Sequence, residues 1–281
     1  MQRWVWGVLA MAAGVAAGCD GSGATAPGEH FAGVEVAADE AALGGRVVDF
    51  AGDPVAAVPV MACGDTDCPV VASDERGWFL HQHLAPVPRR LQIAGIYDGY
   101  GSVVFRREFD PGALSDTGEL VLPRLQGEAS PWDPQEAGTV LLAGGRLELS
   151  VAPKKADKEG VRPEVVQYPA ETTRFEVQAG RVPGEQLPPF YNQPWRGREE
   201  DTLAFSVVPF DLRALAPVTA RVLDGVTRPQ GTVYDIYQVD PLDGLLLPAG
   251  TAKVDAEGVL VADKQSQLRT LTFFMFVPRG D

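Results

Sequence analysis

The chain has 281 residues, with 24 Lys or Arg against 38 Asp or Glu and a formal net charge of −14. That balance excludes a general nucleic-acid binder, which needs basic patches to displace counterions. It also excludes adsorption to anionic lipid, while it favours solubility and is silent on fold.

The first nineteen residues have a definite order. Arg3 precedes a charge-free apolar run from Trp4 to Ala17, and Gly18 and Cys19 follow. Charge, apolar segment and small residues in that order make a secretory signal. The run is shorter than the about 20 residues that a spanning helix needs. Ala16-Ala17-Gly18-Cys19 resembles the lipobox of bacterial lipoproteins, with Ala16 where that family usually carries Leu. The resemblance implies that residues 1–18 are removed and that Cys19 is acylated, with palmitate among the acyl groups. The alternative is a secreted protein cut near Ala17. Loss of Arg3 with the leader takes the charge from −14 to −15. No later apolar run is long enough to span a bilayer, so attachment is by lipid alone. This expectation places the chain in the cell envelope, facing the periplasm or the cell surface. Asp20 beside Cys19 retains some lipoproteins in the inner membrane, but that rule is not general, and the choice of membrane stays open.

Residues 19–43 then read as the acylated cysteine and a flexible tether. The stretch from Asp20 to Gly28 is small and polar, with no periodicity. The chain has three cysteines. An odd number in an exported protein needs explaining, and acylating Cys19 accounts for one. Cys63 and Cys68 remain, five positions apart around Gly64-Asp65-Thr66-Asp67. An oxidising compartment would close them into a disulfide across a hairpin tip. A metal site is the alternative, but two thiols alone are too few for zinc.

Residues 44–125 read as short strands between turns. Arg46–Phe50, Val55–Cys63, Val70–Ser73, Trp78–Leu84, Leu91–Gly95 and Val103–Phe109 are the expected strands, with turns at 51–54 and 74–77. The stretches Gly45-Arg46-Val47-Val48-Asp49, Gly52 to Val60 and Ser73 to Phe79 resemble the carboxypeptidase regulatory-like domain. That resemblance implies a seven-stranded sandwich of prealbumin (transthyretin-like) type. It implies no catalytic residues, and a role as spacer or binding module. His81 and His83, two apart on a strand, share a face if the strand is regular, and two imidazoles could bind zinc or copper. No third ligand is evident, and the alternative is a half-buried His81 with a hydrogen-bond partner.

Residues 126–281 read as a second β-sandwich after a linker at Ser130-Pro131-Trp132-Asp133-Pro134. Strands are expected at 139–142, 146–151, 165–170, 173–177, 203–208, 218–223, 232–239, 258–261 and 271–277. The stretches Leu203 to Pro209, Pro229 to Thr232, Asp240 to Gly244 and Gly250 to Gly258 resemble, loosely, bacterial surface modules related to the β-sandwich of ankyrins and netrin receptors. Between strands lies a long loop at 178–202. Its Phe190, Tyr191 and Trp195, with Arg196 and Arg198 beside them, could form a platform for a sugar or a partner protein. The same aromatics could instead cover the end of the sandwich. Asp65 and Asp67, Asp240 and Asp243, and Asp255 and Glu257 could bind calcium, but none matches the twelve-residue calcium loop, and Asp is an ordinary turn residue.

The sequence contains no Gly-x-Ser-x-Gly, no His-Glu-x-x-His, no phosphate-cradling loop and no dinucleotide fingerprint. The expectation is therefore an all-β chain of two consecutive β-sandwich domains with no catalytic residue, metal or cofactor. Its partners would be the membrane, through the N-terminal lipid, and an envelope protein or glycan. The alternatives are a structural spacer without a ligand, and a hydrolase with a nonlocal carboxylate pair.

Overall fold

Runs of β-branched and aromatic residues between Gly, Pro and Asp turns suit a pleated surface better than a helix. The computed structural model describes residues 30–93, 99–132, 138–151, 165–167, 175–190, 193–210, 212–214 and 217–280. Cys19 and the rest of 1–29 lie outside them. The first seven strands are β1 (Ala41–Val48), β2 (Pro59–Cys63), β3 (Val70–Ala72), β4 (Trp78–Leu84), β5 (Arg89–Ile93), β6 (Val103–Arg107) and β7 (Ala113–Val121). They form two sheets, ordered β4-β1-β7 and β3-β2-β5-β6. Strand β7 has no counterpart in the sequence reading, because Ser115-Asp116-Thr117-Gly118-Glu119 shows no apolar alternation. It forms by running parallel to β1, from Ala41 opposite Ala113 to Val48 opposite Val121.

Among the described residues twelve further strands follow. They are β8 (Gln126–Trp132), β9 (Gly138–Leu142), β10 (Leu147–Val151), β11 (Val165–Gln167), β12 (Phe175–Val182), β13 (Leu203–Val208), β14 (Leu212–Ala214), β15 (Thr219–Val222), β16 (Val233–Val239), β17 (Leu246–Val254), β18 (Leu260–Ala262) and β19 (Phe273–Pro278). Ten of them make one sheet, ordered β8-β12-β13-β19-β16-β17-β18-β15-β10-β9, and β11 pairs with β14. The long sheet curls until its end strands approach, with Ser130 Oγ 3.5 Å from the Leu141 carbonyl. Its inner face is one apolar cluster to which every one of the ten strands contributes, from Trp132 on β8 to Phe274 and Phe276 on β19. The second unit is thus a sandwich whose two walls belong to the same sheet. The expected linker at 130–134 needs correction. Ser130 to Trp132 complete β8, and Trp132 is buried, because its indole fills the inner cluster. Strand β17 was also missed: Pro248 and Gly250 interrupt its pattern, and the register of β16 against β17 shifts there to accommodate them.

The outer face of this sheet is covered where β13, β19 and the end of β16 lie, while outward positions on β9 and β17 such as Leu141 and Leu247 stay exposed. Along β19, Phe274 and Phe276 point into the inner cluster, while Phe273, Met275 and Val277 belong to a second cluster. That second cluster also contains Leu43, Val47, Val60, Leu91, Phe105 and Leu120 of the first seven strands. Ala204 of β13 and Val239 of β16 join it from the same sheet face. The two sets of strands therefore share a core. Polar contacts seal the seam: Ser206 Oγ donates to the Ser102 carbonyl at 2.9 Å, and the Arg106 amide donates to the Gly244 carbonyl at 3.0 Å. Gly244 has φ +72°, and a Cβ there would meet the Phe105 backbone at 2.6 Å, so only glycine lets the strands come this close.

The expected tether is also shorter than 19–43. Phe31 is buried, sits against Gly44 and meets Trp78 edge-on at 5.6 Å, while His30 stacks on Trp78 at 4.3 Å. Strand β1 itself starts at Ala41. The aromatic face of Trp78 and the gap left by Gly44 capture residues that composition alone marks as linker.

A shared core predicts one cooperative unit. Calorimetry of the protein should show a single unfolding transition, and Phe273→Ala should lower stability by about 3–5 kcal/mol while keeping it single. Two separated transitions would contradict the shared core.

Candidate functional site

Cys63 and Cys68 are joined in a disulfide, as the sequence suggested. The bond closes the connection between β2 and β3, and the loop is clamped from beneath. Arg89, with its side chain 1% exposed, donates from Nη1 to the Ala62 carbonyl at 3.0 Å and to Asp67 Oδ1 at 2.9 Å. Asp67 is therefore committed to a cation of its own chain.

The expected histidine pair does not share a face. Leu43 pairs with His81 but Ala41 with Leu84, so β4 carries one extra residue, and His83 sits there at φ +57°. This bulge turns His83 outward to a hydrogen bond with Glu40 at 2.8 Å, while His81 is buried and its Nε2–H donates to the Val60 carbonyl at 3.1 Å. Burial pushes the His81 pKa below its ordinary 6.5, helped by the nearby Arg89 charge and opposed by the Val60 hydrogen bond. The other acidic pairs close their own turns. Asp255 Oδ1 accepts from the Glu257 and Val259 amides, Asp240 Oδ1 from Leu242, and Asp243 Oδ1 from Leu245. Among the described residues no three His, Cys, Asp or Glu side chains gather as metal ligands.

The aromatic platform needs correction. Phe190 and Trp195 are 3% and 5% exposed, and they lie in the seam cluster. Phe190 meets Trp195 at 5.6 Å, Phe273 of β19 at 5.7 Å and Phe105 of β6 at 6.5 Å. The loop is a wedge driven between the two sets of strands, because their seam offered the nearest apolar cover for its rings. Arg198 is spent on the Pro278 carbonyl, and Arg196 is exposed. Tyr191 lies outside the described residues.

A site that the sequence reading missed lies beside this wedge. A cleft of about 280 Å³ opens where the turn after β1 meets the ends of β8, β12 and the β9–β10 hairpin. Phe50 and Pro183 supply apolar wall, and Gln126, Arg146, Arg181, Glu185 and Glu200 supply polar groups. Gln186 holds Phe50 in place, its Nε2 donating to the Phe50 carbonyl at 3.4 Å. Arg146 is paired with Asp224 at 3.2 Å. Arg181 makes no ion pair or hydrogen bond with a described residue, and its guanidinium lies so close over Gly225 that a Cβ there would meet Nη1 at 2.2 Å. Gln126 Oε1 is buried without a hydrogen-bond partner. No local pattern announces this cleft, because its lining is drawn from positions 50 to 202. A larger opening, about 690 Å³, lies along Lys253, Asp255, Asp263 and Lys264, but it has no aromatic wall, and Asp263 is engaged by the Thr251 hydroxyl.

No family model and no curated protein matches the chain. Among solved structures, a Streptococcal ancillary pilin is 8% identical with a TM-score of 0.27 over 86% of this chain and 54% of its own. The TIE protein of Bacillus anthracis is 12% identical with a TM-score of 0.28 over 86% of this chain and 44% of its own. A DUF3823 family protein from Bacteroides ovatus is 10% identical with a TM-score of 0.25 over 85% of this chain and 97% of its own. The chain thus spans about half the length of the first two. These likenesses are too slight to carry fold or function across.

Two outcomes follow from these placements. Trp195→Ala should cost about 3–5 kcal/mol, as a core truncation does, measured by chemical denaturation; an unchanged midpoint would return the ring to the surface. The depressed His81 pKa means that the unfolded chain binds the proton more tightly. Stability should therefore fall as pH drops through about 6.5 and level off below the folded pKa. His81→Gln, whose amide still donates to Val60, should flatten that step in melting temperatures taken between about pH 7.5 and 5.5.

Proposed function

We propose that this chain is an exported, lipid-anchored cell-envelope protein without catalytic activity, whose fused β-sandwich units recognise a partner outside the cytoplasm. The observation that carries the export reading is the Cys63–Cys68 bond, since such bonds persist in oxidising compartments and rarely in the cytosol. The N-terminal order of Arg3, apolar run and Cys19 supplies the route and the anchor. The shared core supports a role in display: a rigid body can hold a binding face at a fixed attitude to the membrane. The seven strands β1–β7 in two sheets support the carboxypeptidase regulatory-like reading of the first unit.

The non-catalytic reading rests on where the titratable groups are spent. His30 stacks on Trp78, His81 serves a backbone carbonyl and His83 serves Glu40. Burial pushes the Tyr234 phenol up to about 12, so it stays protonated at neutral pH. The burial of Phe190 and Trp195 favours a second reading, a rigid spacer, because the residues best suited to an aromatic platform are holding the seam together.

Acylation tests the anchor. In cells fed labelled palmitate, the protein should take up label in membrane fractions, and Cys19→Ala should abolish the label and the membrane association. An unlabelled soluble mature protein would overturn the anchor.

A further inference from the structure

We propose that the cleft around Arg181 binds a neutral saccharide, one or two sugar residues at a time. This rests on the partner-recognition reading above and names the partner as a glycan. The cleft is lined by the Arg181 guanidinium, by Gln126, whose amide oxygen is buried without a partner among the described residues, and by two rim carboxylates, Glu185 and Glu200, that are exposed and form no ion pair with a described residue. An anion would meet the two carboxylates and a strongly acidic protein. A cation would meet Arg181 and Arg146. A hydroxyl group suits both sides, because it accepts from Arg181 while donating to Gln126 Oε1 or to a carboxylate. Vicinal hydroxyls on a ring supply several such groups at fixed spacing. The apolar wall of Phe50 and Pro183 suits the C–H face of the same ring.

The size of the site agrees. About 280 Å³ is at the lower end of small-molecule sites and too small for a folded partner. Preorganisation is also visible. Arg181 is held over Gly225 by packing and needs no partner side chain to release it before a ligand arrives. Gln186 fixes the backbone at Phe50.

Saturation-transfer NMR and calorimetry on the purified exported protein would use four probes: methyl glucoside, galactose, mannose and N-acetylglucosamine. At least one should bind with a dissociation constant on the order of 1 mM, the affinity a ligand of about a dozen heavy atoms can reach. Arg181→Met should weaken that binding about tenfold or more without lowering the melting temperature, because the guanidinium has no bond to lose. Gln126→Leu should weaken it too, which keeps the test sound should one variant misfold. Lys253→Met, in the other opening, should bind as wild type. If none of the four sugars binds, or if Arg181→Met and Gln126→Leu bind as tightly as wild type, the saccharide site is wrong. If a capped triglycine binds the cleft and the sugars do not, the ligand is a peptide and the proposal falls. None of these outcomes bears on palmitate labelling at Cys19, so failure of the site and failure of the anchor are separately visible.

Discussion

Strand β19 is buried on both faces, and the rest of the molecule is arranged around that constraint. Its run Phe273-Phe274-Met275-Phe276-Val277 alternates between two clusters, one inside the curled sheet and one against the first seven strands. A strand exposed on one side would place polar residues at every second position; one covered on both sides is apolar throughout. Its neighbour β13 follows the same rule, with Leu203, Phe205 and Val207 inward and Ala204 outward. Ser206 is the polar exception at this seam, and its hydroxyl is answered by the Ser102 carbonyl. Burying that hydroxyl unpaired would cost about 1–3 kcal/mol.

The seam explains the fate of the loop between β12 and β13. A long loop rich in aromatics and arginine is the usual composition of a binding surface. Here its rings had apolar surface within reach, and Phe190 bridges Phe105 and Phe273. The energy of covering those rings exceeds what an exposed platform would retain, at about 25 cal/mol per Å² of apolar area. What the wedge leaves behind is its own flank. The cleft at Arg181 exists because the loop turns sharply at Gly184, where a Cβ would collide with the Glu199 carbonyl, and because Phe50 is held against it from the first unit.

The disulfide loop shows a second device, a buried cation used as a fastener. Arg89 is fully covered, yet it reaches two backbone carbonyls and the carboxylate of Asp67. An arginine suits this because its planar fork directs several donors at once. The small covalent ring restrains only its own loop. Arg89 connects that loop to β5 and so to the shared core.

The sequence by itself determined the all-β class, the position of most strands, the disulfide partners and the turns, since these depend on local periodicity, glycine placement and cysteine spacing. Trp78–Leu84 was legible to the residue. It could not show β7 or β8, whose polar residues become strands only because a neighbouring edge receives them. It could not show that His83 leaves the face of His81, because a one-residue bulge is set by the register of the partner strand. Nor could it show whether Phe190 and Trp195 lie outside or inside, since both outcomes use the same composition. The tertiary structure decided those points, and it assembled the Arg181 cleft from positions between 50 and 202. Long-range packing, and not local preference, determines which side chains find partners and which are left free.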